Sequence, residues 1–222
     1  ISEVKWQDAD GLNDLNMPSA KDRFKLYQNL KLLKKNEIDW VIPSPRKLTH
    51  EGSYRLASDL KLNTKAFKMD AIFIQKRLQE GLNSSVTITS SEAANIHLKK
   101  NNKVLEEGYF LEISDKEILI EASDSIGAFY ALESLHQILL IAQNEKNGWP
   151  LLIIEDAPRF KNRGFMSDIA RNFYPKEKLF QVLDYMALYK LNTFDIKLTD
   201  DDGWRIEIPG LPELTEIGSK RG

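Results

Sequence analysis

From Gly164 to Leu198 the sequence spells strand, helix, strand, and that order leaves the chain little freedom. Gly164 to Ile169 reads as a strand. Pro175 suits the first turn of a helix, where a missing N–H costs nothing. Leu179, Val182, Leu183, Met186 and Ala187 recur at helical spacing as its buried face, and Lys190 closes it. Then Phe194, Ile196 and Leu198 point one way, while Thr193, Asp195, Lys197 and Thr199 point the other, which is a strand with one polar face. A helical crossover with a short exit loop makes the two strands parallel and the connection right-handed.

Parallel strands end on the same side. Arg171 follows the first strand, and Asp200 ends the second, at the head of Asp200-Asp201-Asp202-Gly203-Trp204-Arg205. The crossover therefore brings Arg171 and Asp200 to one edge, the edge at which α/β folds bind ligands. A guanidinium and a carboxylate facing one cleft supply fixed donors and acceptors that suit a polyhydroxylated ligand. Two plainer readings stand beside this one: a structural ion pair between loops, and a solvated acidic turn, since Asp and Gly are ordinary turn formers. A magnesium or calcium site on the three acids is disfavoured, because consecutive acids on a strand alternate sides.

The chain has 222 residues, fewer than the roughly 250 of a complete (β/α)8 barrel. With 42% hydrophobic and 29% charged residues it belongs to the globular class. A net charge of −2 gives no support to a nucleic-acid or anionic-membrane partner. There is no cysteine, which removes disulfides and thiolate chemistry, and no apolar run approaches the 18 or more residues of a membrane span. The sequence starts at Ile1 without a signal-peptide pattern and ends at Lys220-Arg221-Gly222 without a terminal element, so a piece of a longer protein is expected.

Residues 1–40 are weakly patterned and read as a linker or the end of a preceding domain. Asp8 to Asp14 has the look of a calcium loop, but its glycine is misplaced and Ser19 stands where a glutamate is needed, so it is a turn. Phe24, Tyr27, Leu30 and Leu33 recur at helical spacing within the basic stretch 21–35, which reads as a short helix in a linker or as a solvated tether. Trp40-Val41-Ile42-Pro43-Ser44-Pro45 is a boundary, because closely spaced prolines forbid a helix.

From there to about residue 150, where Trp149-Pro150 begins a second change of composition, a two-layer α+β domain is expected. Ala71, Ile74, Leu78 and Leu82 mark a helix loosened at Gly81. Val86–Thr89, Ile96–Lys99, Gly108–Ile113 and Glu117–Ala122 alternate as successive antiparallel strands of one sheet. Ser123-Asp124-Ser125 offers caps for a long helix with Ile126, Tyr130, Leu135, Ile138, Leu139 and Ala142 on its apolar stripe, ended by Asn147-Gly148. Leu151 to Ile154 is a short strand. His97 and His136 have no second histidine at ligand spacing, and they read as ordinary strand and core residues rather than metal ligands.

Arg163-Gly164-Phe165-Met166-Ser167-Asp168-Ile169-Ala170-Arg171-Asn172-Phe173, then Met186 to Asn192, Leu198 to Ile208 and Leu211 to Gly218, resemble in order the β-N-acetylhexosaminidases of glycoside hydrolase family 20. Val41 to Pro45 and Gly127-Ala128-Phe129-Tyr130-Ala131-Leu132 resemble that family's small domain. The resemblance implies that 41–157 is the family's non-catalytic α+β domain and that 158–222 opens a (β/α)8 catalytic barrel, which this chain carries only as its first βαβ unit. It implies an enzyme that removes terminal N-acetylglucosamine or N-acetylgalactosamine from glycans. Arg171 then binds hydroxyls of the terminal sugar, and Asp200 supports the polar network behind the catalytic acid.

Chemistry in this family is substrate-assisted: the 2-acetamido oxygen attacks the anomeric carbon, and neither cofactor nor metal is called for. The adjacent Asp-Glu pair that performs it lies on a later strand in family members, so no catalytic residue is expected in this chain and the chain alone should be inactive. Glu155-Asp156 has the reverse order, and Asp115-Lys116-Glu117 lies in the other domain. Asp195 and Lys197 stand where the family usually carries histidines, and an Asp195–Lys197 ion pair is expected in their place. That departure motivates a second reading, a carbohydrate-binding or scaffold protein on the same fold. The absence of cysteine fits an exported bacterial protein. An isolated βαβ unit leaves open strand edges and a bare face, so the chain is expected to be aggregation-prone, or its last segment disordered, unless the small domain or a partner covers it.

Overall fold

The structure, a computed structural model, describes residues 6–7, 14–15, 19–28, 40–54, 59–67, 69, 71–80, 85–142 and 149–220. The chain divides into two compact units, Ile1–Asp39 and Trp40–Gly222. In the first, β1 (Trp6–Gln7) pairs antiparallel with β2 (Asp14–Leu15). Helix α1 (Ala20–Tyr27) begins at a capping box, in which the Ser19 hydroxyl accepts from the Asp22 N–H while the Asp22 carboxylate accepts from the Ser19 N–H. Phe24 and Tyr27 are exposed on it. The calcium-like turn lies outside the described residues up to Asn13, as do Leu30 and Leu33.

The second unit opens with a seven-stranded sheet in the order β3-β9-β7-β8-β6-β4-β5. Its strands are β3 (Lys47–Tyr54), β4 (Leu60–Asn63), β5 (Val86–Thr89), β6 (Ile96–Lys100), β7 (Tyr109–Ile113), β8 (Ile118–Ala122) and β9 (Trp149–Asp156). The expectation of successive antiparallel strands is corrected here. Only β7 and β8 form such a pair, closed by the Ser114 N–H donating to the Glu117 carbonyl at 3.1 Å. β5, β4, β6 and β8 run parallel, and β7, β9 and β3 are antiparallel to their neighbours. The reason is helix α2 (Ala71–Glu80), which carries the chain from β4 back to the start of β5; a crossover of that kind yields parallel neighbours. Gly81 and Leu82 lie outside the described residues.

Helix α3 (Ser125–Ala142) covers the sheet together with α2, over a core that includes Leu62, Leu78, Ile96, Leu111, Ile120, Leu135 and Ile138. Tyr130, Leu135, Ile138, Leu139 and Ala142 are buried as their spacing requires, while Ile126 is exposed at the first turn. The Gly127 N–H bonds the Asp124 carboxylate at 2.8 Å, so Asp124 caps the helix. A Cβ on Gly127 would stand 2.1 Å from the Gly108 carbonyl oxygen, so only glycine lets α3 approach the start of β7 this closely. The expectation that no apolar run approaches the length of a membrane span is corrected at α3: among the described residues it is, by length and composition alone, long and apolar enough to cross a membrane, and 67% of it is buried against the domain. Asn147 and Gly148 lie outside the described residues.

Two ionisable side chains on α3 face inward. Glu133 is 1% exposed and takes Arg77 Nε of α2 at 3.2 Å; burial pushes its carboxyl up and Arg77 opposes that. His136 is buried, and its Nδ1 has no hydrogen-bond partner among the described residues. Burial first, then the positive charge of Arg77, lowers the imidazole from 6.5 to about 4. Between those values the unfolded chain binds a proton that the folded chain refuses, so the contribution of His136 to stability is full above pH 6.5 and is lost as pH drops toward 4. The span corresponds to roughly 3 kcal/mol at about 1.4 kcal/mol per unit. Urea midpoints of wild type should fall across this window, and those of His136→Gln should fall less steeply.

The βαβ unit follows. β10 (Gly164–Asp168) and β11 (Thr193–Lys197) are parallel, in a register running from Gly164↔Thr193 to Asp168↔Lys197. Helix α4 (Lys176–Leu188) connects them, with Pro175 at its N-cap. Of its predicted buried face, Met186 is buried, Leu179, Val182 and Ala187 are half-buried, and Leu183 is exposed. Two strands are too narrow a platform to cover the whole stripe. Phe165, Met166, Phe180 and Tyr185 are likewise exposed. Lys190, just past α4, has φ 59°, a left-handed conformation that costs a non-glycine residue roughly 1–2 kcal/mol. A short helix α5 (Glu213–Glu216) ends the described fold.

Candidate functional site

The C-terminal ends of β10 and β11 carry four charges in a chain. Asp168 is the last residue of β10 and lies in register with Lys197, the last of β11, so both side chains leave the sheet at one level. Lys197 Nζ lies 3.2 Å from Asp168 Oδ2 and closely contacts Asp200 Oδ2. The same Asp200 oxygen accepts Arg171 Nε at 3.2 Å, and Arg171 Nε stands 3.7 Å from Asp168 Oδ2. The Arg171 backbone N–H donates to Asp168 Oδ1 at 3.0 Å, which fixes where the arginine leaves the strand. Asp200 Oδ1 accepts from the Asp201 N–H at 3.0 Å.

Electrostatics follow the contacts. Asp200 is held far below the ordinary carboxylate value, first by the Lys197 ammonium and next by the Asp201 N–H and Arg171. The Arg171 N–H, with Lys197 behind it, lowers Asp168. Lys197 is raised by Asp200 and Asp168, and Arg171 by Asp200. The cluster is open to solvent, with the Arg171 side chain 64% exposed, so it can meet a ligand.

Two features hold the loops that bear it. Gly203 has φ +77°, and a Cβ there would lie 2.1 Å from the Ala170 carbonyl oxygen. The loop after β11 can therefore pass against the loop after β10 only with glycine at that position. Arg205 staples the two: its Nε donates to Ile169 O at 3.1 Å, its Nη1 to Ser219 O at 2.7 Å, and its guanidinium lies 5.1 Å from the Phe173 ring centre.

Arg171 and Asp200, singled out on topology, are thus in direct contact. The Asp195–Lys197 ion pair is not formed: Asp195 is exposed and has no ion-pair partner among the described residues. Residues i and i+2 of a strand share a face but stand nearly 7 Å apart along it. Lys197 has nearer acids in its register partner Asp168 and in Asp200. Asp168 and Arg205 stand within the motifs that carry the family resemblance, but the sequence gives neither a role. The strand pairing itself carried a signal for Asp168, since equal strand lengths set it opposite Lys197. His97 Nε2 contacts the Ala94 carbonyl at 2.7 Å and lies 3.5 Å from Glu117. Among the described residues no group of three or more His, Asp or Glu could hold a metal ion.

Residues 40–157 match the family model described as glycosyl hydrolase family 20, domain 2, and residues 160–222 match glycosyl hydrolase family 20, catalytic domain. A beta-hexosaminidase of Vibrio vulnificus is 34% identical over 213 residues, covering 94% of this chain and 24% of that protein. An N,N'-diacetylchitobiase of Vibrio harveyi is 50% identical over 113 residues, 51% of this chain and 13% of that one. Among solved structures, the family 20 exo beta-N-acetylglucosaminidase of Vibrio harveyi in complex with N-acetylglucosamine superposes with a TM-score of 0.69 at 31% identity, over 81% of this chain and 28% of that chain. The chain spans about a quarter or less of the curated relatives it matches.

Proposed function

The chain belongs to glycoside hydrolase family 20, and from that membership we propose that the whole protein is a β-N-acetylhexosaminidase that releases terminal N-acetylglucosamine or N-acetylgalactosamine from the non-reducing ends of glycans. Residues 41–157 serve as its non-catalytic domain. Residues 158–222 open a (β/α)8 barrel in which β10 and β11 are the first strands, and an exported location suits a glycan substrate. The observation that carries the reading is the Arg171–Asp200 contact at the C-terminal edge of a parallel pair, the edge at which such barrels bind substrate.

Arg171 donates to hydroxyls of the terminal sugar. Asp200 holds the guanidinium in place, and Lys197 keeps Asp200 anionic. A guanidinium fixed in this way loses little freedom when the sugar arrives, so its hydrogen bonds translate into affinity. The reaction itself is substrate-assisted, and its acid and acetamido-orienting aspartate come from an adjacent Asp-Glu pair on a later strand.

The test is hydrolysis of an aryl N-acetyl-β-glucosaminide by the whole protein and by residues 1–222 alone. Turnover by the whole protein and none by the chain is expected. Turnover by the chain alone would overturn the assignment of the catalytic pair to a later strand. The second reading, a carbohydrate-binding protein on this fold, draws on Lys197 in place of a histidine; binding of N-acetylglucosamine without turnover by the whole protein would favour it.

A further inference from the structure

The two strands that carry the site are held at their opposite ends by residues whose side chains reach partners in the α+β domain. Lys190 sits in the turn between α4 and β11. The turn closes with the Lys190 N–H on Ala187 O at 3.0 Å and the Leu191 N–H on Met186 O at 2.8 Å, the pattern that ends helices at a left-handed residue. Glycine is the usual occupant of that place, and lysine there is disfavoured.

Its side chain, 8% exposed, runs back into the domain seam. Nζ donates to Tyr109 Oη at 2.9 Å and to Asp156 Oδ2 at 3.1 Å. Tyr109 in turn shares a 2.7 Å hydrogen bond with Ser134 of α3. Asp156 is fixed through its other oxygen by the backbone N–H groups of Ala157 and Arg46. The Lys190 backbone carbonyl accepts Arg163 Nε at 2.7 Å, and Arg163 Nη2 reaches Glu107 at 2.9 Å and Tyr130 Oη at 2.8 Å. Arg163 also joins the strand bases directly. Its N–H donates to Asn192 Oδ1, and its carbonyl accepts from the N–H groups of Asn192 and Thr193. One residue later β10 begins, and its fifth register pair with β11 is Asp168 and Lys197.

We propose that Lys190 and Arg163 are positioning residues through which the α+β domain sets the separation of the β10 and β11 bases, and so the Arg171–Asp200 geometry at the far ends. A lysine serving the turn alone would have no reason to displace glycine from a left-handed position. Its burial against Tyr109 and Asp156 gives that reason. The consequence for catalysis rests on the hexosaminidase reading; the mechanical claim does not.

The experiment uses the whole protein with Lys190→Gly, which suits the turn, and Lys190→Gly/Asp156→Asn, which also removes the carboxylate left buried and stays informative if the single variant misfolds. Amide hydrogen exchange is followed over residues 168–171 and 197–202 beside steady-state kinetics on an aryl N-acetyl-β-glucosaminide. In the folded double variant, exchange at those distant segments should rise about tenfold and KM should rise about tenfold, with kcat changed less. Exchange and KM both at wild-type values would overturn the proposal, leaving Lys190 a stability residue only. Faster exchange in a protein whose wild type neither binds nor hydrolyses the glucosaminide would sink the functional reading and leave the positioning role standing.

Discussion

Replacing Arg171 with alanine in the whole protein is expected to raise KM for an aryl N-acetyl-β-glucosaminide by roughly 10- to 150-fold. A hydrogen bond from a charged donor is worth about 1.5–3 kcal/mol once its partner has no substitute, and each 1.4 kcal/mol is a factor of ten. Arg171 is supported by the Asp168 carboxylate on its backbone N–H and by the Asp200 carboxylate on its Nε. Arg171→Lys should recover little, because an ammonium cannot contact Asp200 and present a planar fork to vicinal hydroxyls at the same time. Lys197→Met should show a smaller rise in KM, since Lys197 acts through Asp200 rather than on the sugar. Wild-type KM and kcat in Arg171→Ala would reduce the Arg171–Asp200 contact to a link between two loops.

Arg77→Met should cost the fold about 3–5 kcal/mol, read as a fall in the urea midpoint. That is the usual penalty for stripping one partner from a buried ion pair, and the Glu133 side chain that remains is 2% exposed. The variant also loses the 3.2 Å bond from Arg77 Nη2 to the Asp184 carbonyl of α4. The pH dependence gives a second signature. Burial already raises Glu133, and without Arg77 it rises further, so the folded state holds a proton that the unfolded chain releases. The deficit should therefore be smaller at pH 5 than at pH 8. Arg77→Met/Glu133→Leu should regain most of the loss. An equally destabilised double variant would place the damage in packing instead.

The parts of this fold legible in the sequence are those whose partners are close along the chain. The β7–β8 hairpin shows strict alternation, buried at every second residue, on both sides of a Ser-Asp turn. The long helix α3 declares itself by its caps and its stripe. The βαβ unit is legible because its crossover permits one handedness and one relative direction. β3 is not: Lys47-Leu48-Thr49-His50-Glu51-Gly52-Ser53-Tyr54 has little apolar alternation, as befits an edge strand. Neither is the parallel pairing of β4 with β6, since nothing local says which second neighbour a strand will take.

At the site the same rule holds. Arg171 and Asp200 could be brought together from topology alone. The choice Lys197 makes between Asp195 and Asp168 depends on the register of two strands and on the reach of one side chain, and periodicity carries neither. Lys190 marked the end of a helix in the sequence, but its side chain answers to Tyr109 and Asp156, 81 and 34 residues away.

The strand order of the α+β domain also bears on biosynthesis. Among the described residues β3 is the earliest strand of its sheet to be made, and its one neighbour there is β9, the last. During translation β3 must wait, unpaired, while roughly a hundred residues emerge after it. The sheet closes only when Asp156 has left the ribosome, just as the Arg163 that joins this domain to the next strands is being exposed. Completion of one domain and docking of the next thus fall within a few seconds of each other at ordinary rates of synthesis. A pause placed immediately before β9 would lengthen the exposure of an unpaired edge strand, whereas a pause placed after Lys190 would let both steps finish together.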